Sequence, residues 1–134
     1  MTIQYSITLR NARLDSDETV IGVTPKLRMY SGSVPANCAA TIGAAVQLAE
    51  MALPSDWMAA ASAGSKAKLG TWQDVAADAS GTFSFYRIWD SAGTTCHEQG
   101  TLGLSGTDMT VDSASVTAGQ TVTVTGYTKT ASGA

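Results

Sequence analysis

Charge is scarce in this 134-residue chain. Asp, Glu, Lys and Arg make up 14% of it, against about a quarter in an ordinary soluble domain. Eight basic residues face 11 acidic ones, leaving a net charge of −3. Lys66 and Lys68 form the one close lysine pair. A nucleic-acid groove needs several phosphate-neutralising cations on one surface, so no nucleic-acid partner is expected. Long apolar runs are also missing. The longest, Ile42–Leu53, is interrupted by Gln47 and Glu50, so no membrane span is expected. The N-terminal stretch MTIQYSITLRNARLD lacks the apolar core of a signal peptide, which predicts synthesis in a cytoplasm.

Histidine occurs once, at His97. Its neighbour Cys96 points to the opposite face of a strand, so the two are poorly placed to share a metal, and no metal site is expected. Ser65-Lys66-Ala67-Lys68 matches the S-x-x-K of serine-acylating enzymes. That chemistry needs a buried helix and partner motifs, whereas this match sits in a glycine-bounded loop. There is no G-x-S-x-G, H-E-x-x-H or phosphate-binding loop, and Asp15-Ser16-Asp17-Glu18 lacks the central glycine of a calcium loop. Asp56 and Asp90 are explained by a helix start and a turn. The expectation is no enzyme, no catalytic residue and no cofactor.

Two cysteines, Cys38 and Cys96, leave two readings open. A disulfide between them would stabilise the chain by about 4 kcal/mol in the chain-entropy model. Two free thiols would behave as small core hydrophobes.

What the chain does contain is β-forming sequence. Phe83–Leu104 reads as a hairpin, with Phe83, Phe85, Tyr86, Ile88 and Trp89 favouring a buried pleated surface. Asp90-Ser91-Ala92-Gly93 supplies the turn. Pairing Asp90 with Thr94 sets Ile88 opposite Cys96 and Arg87 opposite His97, and bulky groups on both faces make Phe83–Asp90 a central strand. Lys26–Ser31, Val46–Leu53, Ala67–Ala77, Thr107–Asp112, Ser115–Thr117 and Thr121–Lys129 complete the strands. The last has Val122 and Val124 on one face and Tyr127 on the other. Residues 6–21 read as a helix, capped by Ser6 and stopped by Gly22 and Pro25, with Ile7, Leu14 and Ile21 inward and Leu9 and Val20 widening that apolar stripe. Arg10, Arg13, Asp15, Asp17 and Glu18 then form a solvated face. Pro54–Ala61 reads as a short helical turn. The sum is a single mainly β domain over residues 1–134: an antiparallel β-sandwich or barrel-like fold with one N-terminal helix. Residues 1–22 form an arm and the helix, and 130–134 a flexible tail.

The segments LRMYSGSVPANCA, LAEMALPSDWMAAASAGSKAKLGTWQ, FYRIWDSAGTTCHEQGTLG and VTAGQTVTVTGYT resemble a family of small structural proteins of tailed bacteriophages. The similarity spans about residues 5–128. Its most specific pieces are Leu53–Met58 and Asp90–His97. The resemblance implies a non-enzymatic virion component, foremost a capsid decoration (cement) protein that binds the major capsid protein and copies of itself, as a trimer in one arrangement. Thr2, Ile3, Gln4 and Tyr5 would be the arm reaching a neighbouring subunit, and the chain would end on the phage particle. A tail, neck or baseplate component is the alternative within that class. A carbohydrate-binding sandwich stacking sugars on Trp57, Trp89 or Tyr127 is the alternative outside it.

Overall fold

The computed structural model describes residues 2–134. One helix, α1 (Ile7–Ile21), precedes ten strands. Its start is capped by Ser6, whose hydroxyl accepts the Leu9 amide at 3.2 Å. Its end is Gly22, at φ +89°, whose N–H donates to Glu18 O. A side chain rarely adopts that conformation, so glycine makes the stop.

The strands are β1 (Lys26–Ser31), β2 (Val46–Ala52), β3 (Ser65–Ala67), β4 (Gln73–Asp74), β5 (Gly81–Thr82), β6 (Phe85–Trp89), β7 (Cys96–Gly103), β8 (Met109–Val111), β9 (Ser115–Val116) and β10 (Val122–Thr130). Eight of them form one sheet in the order β2-β1-β6-β7-β8-β10-β3, with β4 also on β10. β5 and β9 make a small second sheet. All pairings are antiparallel except β7–β8, which is parallel, so the sheet is mixed and not purely antiparallel.

The sheet bends into a sandwich-like arrangement whose inner faces meet. Leu27 and Met29 of β1, Leu48 and Met51 of β2, Tyr86 and Ile88 of β6, and Val122, Val124 and Tyr127 of β10 share one core with Trp57 and Trp72. Both indoles are fully buried, and each N–H finds a carbonyl: Trp57 on Gly22 O at 3.0 Å, Trp72 on Leu69 O at 3.1 Å. The outer edge of β2 is covered from the other layer. Leu48 O accepts the amides of Asp78 and Ala79, and the Asp74 carboxylate accepts the Glu50 amide. Those partners blunt an otherwise open strand edge.

β6 lies between β1 and β7, buried on both faces, as its bulky residues predict. The hairpin register differs from the expected one. Trp89 pairs with Cys96 and Ile88 with Glu98, leaving His97 as an extra, bulged residue. The turn closes at Thr95, one residue later than expected, with the Asp90 carboxylate accepting the Thr94 and Thr95 amides. Cys96 thus faces the same side as Arg87 and Gln99, and Glu98 takes the inward position. A second bulge, near Thr125, brings Tyr127 onto the face of Val122 and Val124 instead of the opposite one.

Three further expectations are corrected. Pro54–Ala61 is not helical. Its backbone bonds instead to the strand that follows, Ala59 N–H to Ala67 O and Leu69 N–H to Trp57 O. Ala67–Ala77 is not one strand, because Gly70 at φ +76° splits it. The charged face of α1 is only partly solvated, because Arg10, Asp15, Asp17 and Glu18 find partners in other elements. Thr130 completes β10, and the Ala131 amide donates to Gly64 O at 3.0 Å, so the expected tail is hydrogen-bonded at its first positions.

Candidate functional site

The helix carries Asp15, Asp17 and Glu18 in its C-terminal half and has no basic residue in its last turn. Acidic groups there oppose the helix dipole and want cations from elsewhere. Lys66 of β3 supplies one. Its ammonium contacts Asp15 at 2.7 Å, Glu18 at 2.9 Å and Ala59 O at 2.8 Å, with 2% of the side chain exposed. Lys129 of β10 supplies another, bridging Asp17 at 3.1 Å and Glu98 at 2.5 Å. Arg10 grips Ala131 O through Nε and Nη2. Only Leu14 and Ile21 of α1 are buried, whereas Ile7, Leu9 and Val20, expected in the inward stripe, are 44–69% accessible. The helix is therefore fastened as much by charge as by its narrow apolar stripe. Burial works to depress the Lys66 pKa, but the hydrogen bonds and charges of Asp15 and Glu18 outweigh it, and the net shift is upward. Asp15 is held below its ordinary value, first by the Lys66 hydrogen bond and then by the Ala61 amide.

Next to this brace lies a hub at Glu98. Tyr86 donates to Glu98 Oε2 at 2.9 Å, and Tyr127 donates to the same oxygen. The rings meet edge to face, 6.0 Å between centroids. Burial first, and the Glu98 carboxylate second, push both phenols far above their usual range. Both phenols therefore stay protonated near neutrality. They act as hydrogen-bond anchors.

The outer face of β1 and β6 makes a third cluster. Tyr30 and Phe85 stack there, centroids 4.8 Å apart, under the 32–45 loop. Arg87, 2% exposed, holds that loop: Nη2 donates to Asn37 O at 3.0 Å and Ala40 O at 2.7 Å, while Nε donates to Gln99. Cys38 and Cys96 meet here as free thiols. Burial, and then a hydrogen bond with Cys38, push the Cys96 thiol up to about 12. The structure thus brings together the two cysteines named as a candidate pair.

Of the candidate arm, Thr2, Ile3 and Gln4 are exposed, with Ile3 68% accessible. Tyr5 is not free. Its amide donates to Gly133 O at 2.7 Å and the Arg13 guanidinium sits 3.9 Å over its ring. The arm therefore begins at an anchored root. Trp57 and Tyr127 are core residues and offer no stacking platform, while Trp89 is half-buried against Arg28. Ser65 and Lys68 lie on an extended segment, with the Lys68 ammonium on Gly70 O. Sequence reasoning missed Lys66, Glu98 and Arg87 as organising residues. The misplaced acids of α1 were the one available signal for Lys66. No protein-family model matches the chain, and neither a curated protein nor a solved structure matches it.

Proposed function

We propose that the protein is a non-enzymatic structural subunit of a tailed-phage particle, most in keeping with a decoration protein that stabilises the head by binding the major capsid protein. The observation that carries this reading is the exposed apolar series along the arm and helix. Ile3, Ile7, Leu9, Val20 and Val23 are 44–69% accessible. Leu9 and Val20 lie about three helical turns apart on the side of α1 turned away from Leu14 and Ile21. A helix braced by ion pairs on its inner face is free to offer apolar groups outward. The low charge density and the resemblance of the sequence segments support the same reading. The mechanism is mass action: apolar area buried across capsid subunits favours the assembled state over the dissociated one.

Quantitative mass spectrometry of purified particles tests it. A copy number equal to the major capsid protein, or a simple fraction of it, is expected. A few copies per particle would move the protein to the neck or tail. Absence from particles would refute the reading.

A further inference from the structure

Two clefts of similar size open on this molecule, and their charges differ in kind. The first, about 710 Å³, contains Lys66 with Asp15 and Glu18, a cation already neutralised by two acids. The second, about 700 Å³, lies between the 32–45 loop and the outer face of β1 and β6. Its floor holds two guanidinium groups, Arg28 and Arg87, set directly opposite each other on paired strands. Like charges in that position repel. Arg28 has one acid, Glu50, at 2.5 Å. Arg87 has none: among the described residues it forms no ion pair, and its Nη1 has no hydrogen-bond partner. The floor therefore carries two cations against one carboxylate.

Donors are in excess there as well. Among the described side-chain polar atoms buried from solvent, the Trp89 indole N–H is the one with no hydrogen-bond partner of good geometry, and the polar group beside it is the Tyr30 phenol. Both guanidinium groups lie over the Trp89 ring, 4.9 Å and 5.8 Å from its centroid. A buried donor left unpaired is costly, and a buried cation without a counter-ion more so. A cleft that keeps an unpaired indole N–H, an unused guanidinium N–H and a surplus positive charge is incomplete by one anion.

We propose that this cleft binds one carboxylate group, received by the Arg87 and Arg28 guanidinium groups and the Trp89 indole N–H. A carboxylate matches the single surplus charge, and its two planar oxygens suit guanidinium donors. The remaining volume, walled by Ala39, Ala40 and Ile42, takes the apolar body attached to it. The carboxylate comes either from a free organic acid or from the chain end or side chain of a partner protein. The inference stands on the cleft and is independent of the particle reading.

The test follows the indole N–H resonances of the full chain while phenylacetate is added at constant ionic strength. Trp89 is expected to shift saturably with a millimolar Kd, while the resonances of Trp57 and Trp72, both bonded inside the core, stay in place. Arg28→Gln should weaken binding at least about tenfold, the equivalent of 1.4 kcal/mol. Glu50→Gln should tighten it, since Glu50 competes for Arg28. Unmoved Trp57 and Trp72 resonances confirm that each variant folds. A shift of the same size with phenylacetamide would overturn the proposal, because charge would then be irrelevant. So would no saturable shift, tighter binding of inorganic phosphate, or unchanged affinity in both variants. A peptide with a free C-terminal carboxylate, compared with its amide, separates the two sources. Tighter binding of the free-acid peptide than of phenylacetate assigns a protein partner, and the reverse assigns a free organic acid.

Discussion

Replacing Lys66 by methionine keeps the apolar stem and removes the ammonium that joins β3 to α1. Three contacts go at once: Asp15 at 2.7 Å, Glu18 at 2.9 Å and Ala59 O at 2.8 Å. Removing one partner of a buried ion pair costs about 3–5 kcal/mol, because the other is left without compensation. Here the acids are 48% and 25% exposed and can recover water, so the cost falls to about 2–3 kcal/mol. For a domain of this length that is a drop of about 10 °C in Tm. Urea unfolding and calorimetry measure both. Lys68→Met is the control: its ammonium bonds Gly70 O at the surface, and the change should stay within about 0.5 kcal/mol. The pH dependence has a defined sign. The Lys66 pKa is raised, so its contribution is complete below the ordinary value of 10.5 and is lost as pH rises through the folded value. The Asp15 pKa is lowered, so its share is complete above 3.8 and is lost as pH falls through the folded value. The stability difference between wild type and Lys66→Met is therefore flat near neutrality and shrinks at both extremes. A variant as stable as wild type would refute the brace, as would a difference that peaks at acid pH.

Tyr127→Phe and Tyr86→Phe should each cost about 1.5–3 kcal/mol in urea unfolding, since each loses a bond to the Glu98 carboxylate. The double variant should cost less than the sum, because both hydroxyls share one oxygen. Full additivity would refute the hub. Gly100→Ala should lower stability by about 1–3 kcal/mol, because its Cβ would meet Tyr86 ring and hydroxyl atoms at 2.8 Å. A neutral result by calorimetry would refute that close approach. With its pKa pushed up to about 12, Cys96 should alkylate at least about 100-fold more slowly in the native chain than in urea at mildly alkaline pH. Peptide mass mapping reads the rates, and equal rates would refute the burial argument.

The local elements were legible because their causes are local. Ser6, Gly22 and Pro25 bound α1 at the expected residues. β1, β2 and β10 fall where period-two patterning and turn residues place them. The aromatic richness of β6 marked it as a central strand, since a strand buried on both faces has no polar side to show. The bulges at His97 and near Thr125 were not legible. His97 and the Thr125 region carry nothing in their side chains that announces an extra residue, and one residue of slip exchanges the faces of everything beyond it. That slip moved Cys96 beside Arg87, turned Glu98 inward to Tyr86 and Tyr127, and placed Tyr127 in the core. The charged groups were the least legible of all. Asp15 and Lys66 are far apart in sequence, and the low effective dielectric that makes their meeting matter exists only once β3 lies against α1. The sequence alone determined the bounds of α1, the places of β1, β2, β6 and β10, and that the chain would be mainly β. Which residues share a face, and which charges become partners, was decided by register and docking, because those depend on contacts between segments that no short window of sequence contains.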